Sequence, residues 1–304
     1  MDRQEKLEAL FSSQDPIDVL RFYSSITGIE ELVSFASRRP EAEINITIKR
    51  ERKSSGGVSV VVPTPTLGSQ RVVDTLRIYD PLEVILVESS GPYFNYSRSM
   101  NRGIEKAVEL DADWIILSND DLFKVDPIEN LVHYLENESS EVVMAAPGYI
   151  QNVWYHTTSV FLSKARRRQN NQAMRKFQTK YNILADYPVI KNGLHYYLQL
   201  LYYRYLKLQS SIVSFYNFGD FCVLGSKIAR KHNFDEAFQN RVEDIDLSLR
   251  LKTSGAKVKV SPFRIGSRIR STIGKSETDN LRFLLNSIYF SHKVEKLLES
   301  KDFP

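Results

Sequence analysis

Residues 113–122 read Asp113-Trp114-Ile115-Ile116-Leu117-Ser118-Asn119-Asp120-Asp121-Leu122. The apolar run 114–117 predicts a buried strand, and the acidic pair Asp120-Asp121 follows it almost directly. Carboxylates are costly to bury unless a partner neutralises them. Because ligands of open α/β sheets bind beyond the carboxyl ends of the strands, we expect these acids to face a cleft. Their oxygens suit a hard divalent cation.

Alternating strand and helix patterns surround this stretch. Such alternation predicts an α/β fold with a mixed, mostly parallel central sheet that is flanked by helices. The predicted strands cover 58–62, 82–87, 114–117, 141–146, 214–224 and 257–260, and the predicted helices cover 69–78, 97–109, 125–138, 242–253 and 281–298.

The same patterns divide the chain into three parts. A helical extension with a polar, glycine-containing linker covers 1–57, a central domain covers 58–270, and a C-terminal helical segment covers 271–304. The central domain splits into halves at 58–125 and 126–270, and the second half carries a predicted helical insertion at about 161–208.

Charge is distributed unevenly along the 304 residues, which carry a net charge of +4. Between 142 and 234 there are 13 Lys/Arg against the two acids Asp186 and Asp220, and between 247 and 276 there are eight Lys/Arg and no acid. Such segregation predicts an anionic partner, which is a phosphate-bearing ligand, an anionic membrane surface or nucleic acid.

Three features bear on the compartment. The single cysteine, Cys222, excludes an internal disulfide and is typical of a reducing cytoplasm. The first residues lack the apolar core of a signal peptide, and no run reaches the length of a membrane-spanning helix. The Tyr/Leu-rich, basic segment 161–208 suits either a helix at the cytoplasmic membrane face or a helical lid.

A second acidic stretch lies downstream, at Phe234–Phe238 and Glu243–Arg250. With it, the chain resembles the family-2 glycosyltransferases of the GT-A fold over roughly residues 58–262. The matching segments, in order, are 58–64, 84–90, 101–104, 114–122, 234–238 and 243–250.

The resemblance implies an inverting hexosyltransferase that uses a UDP-, GDP- or dTDP-sugar. The acceptor would be the hydroxyl of a glycan or of a lipid-linked molecule. Asp244 would be the general base, and Glu243 would orient the acceptor or hold its loop. Asp121 would bind Mn²⁺ or Mg²⁺, a Lewis acid that stabilises the departing diphosphate.

Further roles follow from the same resemblance. The donor nucleotide would be contacted by Pro63, Thr64, Glu88, Asn101, Asn119 and Asp120. Asp220 and Trp154 would line the acceptor pocket, and Arg268 and Arg270 would approach the diphosphate. The chain departs from the family at three points, namely Glu88 and Asn119 where an aspartate is usual, and the lack of a histidine between His232 and His292.

Other interpretations remain open. The acids at 243–246 could simply complement a helix N-terminus, with Asp246 and Arg250 forming an i,i+4 pair.

A sugar-nucleotide nucleotidyltransferase has a similar sheet, but the loop 63–69 holds one glycine where that chemistry favours several. A non-catalytic protein that binds anionic ligands or nucleic acid, or an inactive transferase, would also carry these charges. No nucleic acid is expected, because aromatic RNA-binding motifs have no match; a homo-oligomer is compatible with the sequence.

Overall fold

The computed structural model describes residues 1–50, 57–145, 156–159, 214–217, 220–267 and 276–299. The elements within these ranges form a mixed α/β structure. Its central sheet is mostly parallel and is flanked by helices, as predicted.

The helices begin where the sequence supplies capping side chains. Asp15 accepts a hydrogen bond from Ile17 N ahead of α2, Ser69 from Val72 N ahead of α4, and Asn95 from Arg98 N ahead of α5. The helices are α1 (Arg3–Leu7, continued by a π-helical turn Glu8–Ser12), α2 (Pro16–Ser24), α3 (Ile29–Ser37), α4 (Gln70–Ile78), α5 (Tyr96–Glu109), α6 (Ile128–Glu136), α7 (Ser226–Ala229), α8 (Glu243–Thr253) and α9 (Glu277–Glu299).

The strands are β1 (Asn45–Lys49), β2 (Val58–Thr64), β3 (Glu83–Glu88), β4 (Trp114–Ser118), β5 (Leu122–Lys124), β6 (Val142–Met144), β7 (His156–Ser159), β8 (Ser214–Asn217), β9 (Phe221–Gly225), β10 (Val258–Val260) and β11 (Ile265–Ser267). Seven of them form the central sheet in the order β1-β3-β2-β4-β9-β6-β10. Among these described strands, β3, β2, β4, β6 and β10 point one way, whereas β1 and β9 are antiparallel to their neighbours. The carboxyl ends of β2, β3 and β4 therefore share one edge.

Both faces of the sheet are covered. Helices α4 and α6 pack on one face, and α5 and α8 pack on the other, so that β2 is buried along its whole length. On the second face α5 lies very close to the sheet at Gly103, where an added Cβ would come within 2.2 Å of Val61 Cγ1. Only glycine allows this approach, which fixes how α5 sits against β2.

The N-terminal helices and α9 share a hydrophobic cluster of their own. It contains Leu10, Phe22 and Leu32 from the start of the chain and Leu281 and Leu285 from α9. The buried Tyr23 hydroxyl donates to the Leu281 carbonyl at 2.8 Å. The two ends of the described chain are thus packed together.

The strand boundaries shift by one or two residues in several strands and differ from the prediction in a further way at two places. Strand β2 continues through Pro63 to Thr64, because its pairing with β4 ends at Val61 and the missing N–H of Pro63 falls where β2 has become an edge. The single strand predicted at 214–224 is two strands, β8 and β9, with Asp220 between them.

Several parts of the fold were not predicted. Edge strand β1, within the predicted helical extension, pairs with β3, and small sheets join β5 to β11 and β7 to β8. The short helix α7 was not predicted either. No helix in the described ranges is both long enough and apolar enough to cross a bilayer.

Candidate functional site

The acidic end of β4 meets the start of β9. These strands are antiparallel, with Ser118 opposite Phe221, so the residues after β4 lie beside the residue before β9. The Asn119 amide N–H donates to the Asp220 carbonyl at 3.1 Å. Two segments separated by about a hundred residues in the sequence thereby form one polar edge.

Asn119 is held by two side chains at this edge. The Tyr96 hydroxyl donates to Asn119 Oδ1 at 2.8 Å, and Asn119 Nδ2 donates to Asp220 Oδ1 at 2.9 Å. An amide can accept from one partner and donate to the other, whereas a carboxylate here would face Asp220 as a like charge. Asn119, where the resemblance predicts an aspartate, is therefore matched to Asp220.

Asp120 faces the end of β2. The buried Thr64 hydroxyl donates to Asp120 Oδ2 at 3.0 Å, and Arg71 Nη1 lies 3.8 Å from Asp120 Oδ1. Burial raises the pKa of Asp120, although Thr64 and Arg71 favour its charged form. Arg71 is the cation of α4 that reaches this edge.

Glu88 holds the loop between β2 and α4. Its Oε1 accepts a hydrogen bond from Leu67 N at 2.9 Å, and the next residue, Ser89, donates its N–H to the Thr64 carbonyl at 3.1 Å. Pro63 is buried just before Thr64. The predicted donor residues Pro63, Thr64 and Glu88 are thus neighbours, with the backbone of the loop fixed above them.

A group of carboxylates surrounds Asp220. Burial raises the pKa of Asp220, a hydrogen bond from Ser267 Oγ at 2.7 Å opposes that rise, and the nearby charges of Asp121 and Asp244 add to it. Ser267 reaches this position because β11 pairs with β5. Three acids from three segments therefore interact electrostatically, an arrangement that a bound cation would stabilise.

Helix α8 brings Glu243 and Asp244 toward this group. Val242, which precedes α8, adopts a left-handed conformation with φ of 74°, which is costly for a β-branched residue and typical of functional loops. Glu243 is only 7% exposed. Burial, followed by the charge of Asp244, raises the pKa of Glu243 to about 8, against the opposing effect of Arg39 and Arg241. Burial therefore favours the protonated form of Glu243.

The loop before α8 is anchored by α5. Asn101 Oδ1 accepts from Phe234 N at 2.8 Å, and its Nδ2 donates to Phe234 O and to Glu236 Oε1, both at 3.0 Å. Arg98 Nε donates to Glu236 Oε2 at 2.8 Å. The side chain of Asn101, predicted to contact the donor, here positions the acidic loop.

The other acids of this region support the fold. Asp235 accepts hydrogen bonds from Tyr289 at 2.7 Å and from Lys293 at 2.8 Å. Asp246 binds Lys293 at 2.6 Å and Arg250 at 2.9 Å. The last contact confirms the predicted Asp246–Arg250 pair.

Some predicted site residues lie outside the described residues, namely Trp154, Arg268, Arg270 and the insertion 161–208. Conversely, sequence reasoning missed Tyr96, Arg71 and Ser267. Acidic side chains at a strand end usually have polar partners, so the sequence suggests that such partners exist. It does not show which residues they are.

Among the described residues, no three or more histidine, cysteine, aspartate or glutamate side chains are arranged to hold a metal ion by themselves. Asp121 and Asp220 nevertheless bring carboxylate oxygens to the same edge. Mg²⁺ and related hard cations are commonly held by one or two carboxylates together with substrate phosphates.

No family model matches the chain, and no curated protein matches it either. Among solved structures it is similar to A197 from STIV, at 12% sequence identity and a TM-score of 0.40, over 73% of this chain and 91% of that chain.

Proposed function

We propose that this protein is an inverting glycosyltransferase of the GT-A type that uses a nucleotide sugar and a divalent cation. The observation that carries the proposal is the meeting of two acidic sets at one sheet edge. Asp121 follows the core strand β4, Asp244 lies in the first turn of α8, and both act electrostatically on Asp220. A sugar transferase needs one carboxylate group at the leaving diphosphate and one at the incoming hydroxyl.

The donor half is formed by the ends of β2 and β3. Thr64 and Glu88 border a loop whose backbone is fixed, as a nucleoside pocket requires. Arg71, 3.8 Å from Asp120, supplies a positive charge on the same side. An arginine with a partly exposed guanidinium suits a phosphate oxygen.

The cation would be Mn²⁺ or Mg²⁺, held by Asp121, with Asp220 adding the second negative charge. When bound, such an ion stabilises the charge that develops on a diphosphate leaving group. Asn119 keeps Asp220 oriented toward this position through its hydrogen bond of 2.9 Å. The charge that a family aspartate would carry at position 119 is thus carried by Asp220.

Asp244 would take the proton from the acceptor. The acceptor oxygen forms a bond to the anomeric carbon while the bond from that carbon to the phosphate oxygen breaks. The electron pair leaves with the nucleoside diphosphate, and the acceptor proton passes to Asp244. Burial and the charge of Asp244 raise the pKa of Glu243, which favours the protonated form, and that form would donate a hydrogen bond to a sugar oxygen.

The test measures donor binding and transfer separately. Thermal shifts with UDP-, GDP- and dTDP-sugars, with and without Mn²⁺, identify the donor, because a ligand of the folded state raises its stability. Asp121→Asn should lose the Mn²⁺-dependent part of the shift. Asp244→Asn should keep the shift but lose transfer by about two to four orders of magnitude.

The control is Asp111→Asn. Asp111 is exposed and precedes the amino end of β4, whereas the acidic edge lies at the carboxyl end. Its φ of 57° is one that asparagine tolerates. It should match the wild type in both assays. Full transfer activity in Asp244→Asn, or a wild-type protein indifferent to every nucleotide sugar, would contradict the proposal.

A further inference from the structure

A cleft lies between the N-terminal helices, the loop after β3, the loop before α8 and helix α9. Its volume is about 480 Å³, within the range of small-molecule sites. Its lining includes Phe11, Gln14, Arg39, Gln239, Arg282 and Phe283. The donor residues described above are not part of this lining.

Two buried side chains of the cleft offer hydrogen-bond donors that nothing in the described structure accepts. Arg39 is 4% exposed, and its Nη2 donates to Glu236 O and Phe238 O, but its Nε has no partner. Gln239 is also 4% exposed, and its Nε2 has none either. Buried donors without acceptors are destabilising, and a bound ligand that brings acceptor atoms would relieve that cost.

The charge of the cleft selects an anion. Arg39 and Arg282 contribute two guanidinium groups, whereas Asp279 contributes one carboxylate, 3.6 Å from Arg282 Nη1. The excess is positive, and Arg39 also carries the donors described above. Planar guanidinium groups suit phosphate and carboxylate oxygens.

The cleft is connected to the proposed acceptor side of the site. Asn240 lines it and stands only four residues before Asp244 on the loop that leads into α8. Arg39 also interacts electrostatically with Glu243. A molecule seated beside Arg39 is therefore next to the loop that holds the proposed base.

We propose that this cleft binds an anionic group, a phosphate or a carboxylate, of the acceptor substrate. The assignment to the acceptor rests on the proposed function, whereas the affinity for an anion does not. The acceptor would be anchored by its charge against Arg39 and Arg282, with Gln239 as a neutral donor.

The test changes charge at the exposed rim, where folding is not at risk. Gln14 lines the cleft and is exposed. Binding of inorganic phosphate, glucose 1-phosphate, glucuronate and neutral glucose is measured by calorimetry without nucleotide. Gln14→Glu should weaken binding of the anions by about threefold, and Gln14→Lys should strengthen it by a similar factor. Gln4→Glu, an exposed change in α1 away from the cleft lining, should have no effect.

A second variant addresses the buried donor. Gln239→Met keeps the size of the side chain and removes an N–H that has no partner, so it should leave the urea midpoint unchanged while weakening anion binding. The phosphate and glucuronate arms show whether the site prefers phosphate or carboxylate.

Two outcomes would overturn the anion site. One is that both Gln14 variants and Gln239→Met bind the anions with the wild-type affinity. The other is that the wild type binds neutral glucose as tightly as glucose 1-phosphate. The donor thermal shift in the same variants separates the two proposals. Absence of that shift in the wild type refutes the transferase, whereas an intact shift with indifferent Gln14 variants refutes only the cleft.

Discussion

A charge exchange between positions 119 and 220 tests the central feature of the site. Asn119→Asp places a second carboxylate where Asn119 Nδ2 now donates to Asp220 Oδ1 at 2.9 Å. The change removes a hydrogen bond to a charged acceptor, worth about 1.5–3 kcal/mol, and adds like-charge repulsion. We expect the free energy of unfolding to fall by about 3 kcal/mol without a divalent cation.

The double variant Asn119→Asp/Asp220→Asn restores one carboxylate and one amide. The new carboxylate at position 119 can still accept from the Tyr96 hydroxyl, which in the wild type donates to Asn119 at 2.8 Å. The new amide at position 220 can in turn donate to that carboxylate. Stability should return to within about 1 kcal/mol of the wild type, giving a coupling energy of about 2 kcal/mol or more between the two positions.

Urea unfolding of the wild type, both single variants and the double variant measures this cycle, with Mn²⁺ absent and then present. Mn²⁺ should recover part of the stability lost in Asn119→Asp, because the cation relieves the repulsion between carboxylates. Additive single effects, with a double variant as unstable as their sum, would refute the matched pair.

Three other predictions concern parts of the structure around the site. Glu243 has a pKa of about 8 in the folded protein against an ordinary 4.5, so between these pH values unfolding releases its proton. The free energy of unfolding should therefore fall by up to about 4 kcal/mol from pH 5 to pH 8. Glu243→Gln should remove most of this fall in urea titrations at each pH. Lys293→Met removes the lysine partner of both Asp235 and the buried Asp246, leaves Asp246 with Arg250, and should cost about 2 kcal/mol in the same assay. Gly103→Ala should cost about 1–3 kcal/mol through overpacking, whereas Gly68→Ala, with no atom within 4 Å of the added Cβ, should be close to neutral.

The parts of the fold that depend on local patterns could be predicted from sequence. The run 114–117 is apolar enough to specify a buried strand, and the acids after it could only lie at its end. The helices that begin after Asp15, Ser69 and Asn95 follow from capping residues that act on their own next turn. These interactions span three or four residues, so a sequence displays them directly.

The parts that depend on distant partners could not be predicted. Strand β1 has a mixed burial pattern and is defined by its pairing with β3, about forty residues later. The 214–224 region looks like one strand, and although Gly219-Asp220 is a local turn signal, the local sequence does not show that the carboxylate of Asp220 meets Asn119 and Ser267. Asn101 was predicted to bind the donor for a similar reason, because the contact of its amide with Phe234, 133 positions away, cannot be seen in the local sequence.

These distant contacts also determine which acidic side chains lie together at the site. A sequence compared position by position suggests that Asn119 weakens the site, because a carboxylate is missing. In the folded protein the missing charge is replaced from the start of β9, since the antiparallel pairing of β4 with β9 puts Asp220 next to Asn119. Asn119 therefore stabilises this edge, because only a side chain that donates a hydrogen bond can hold a neighbouring carboxylate without repelling it. The number of acids at the sheet edge is thus determined by the strand pairing as well as by the motif, and a cation at the proposed site would interact with Asp220 as well as with Asp121.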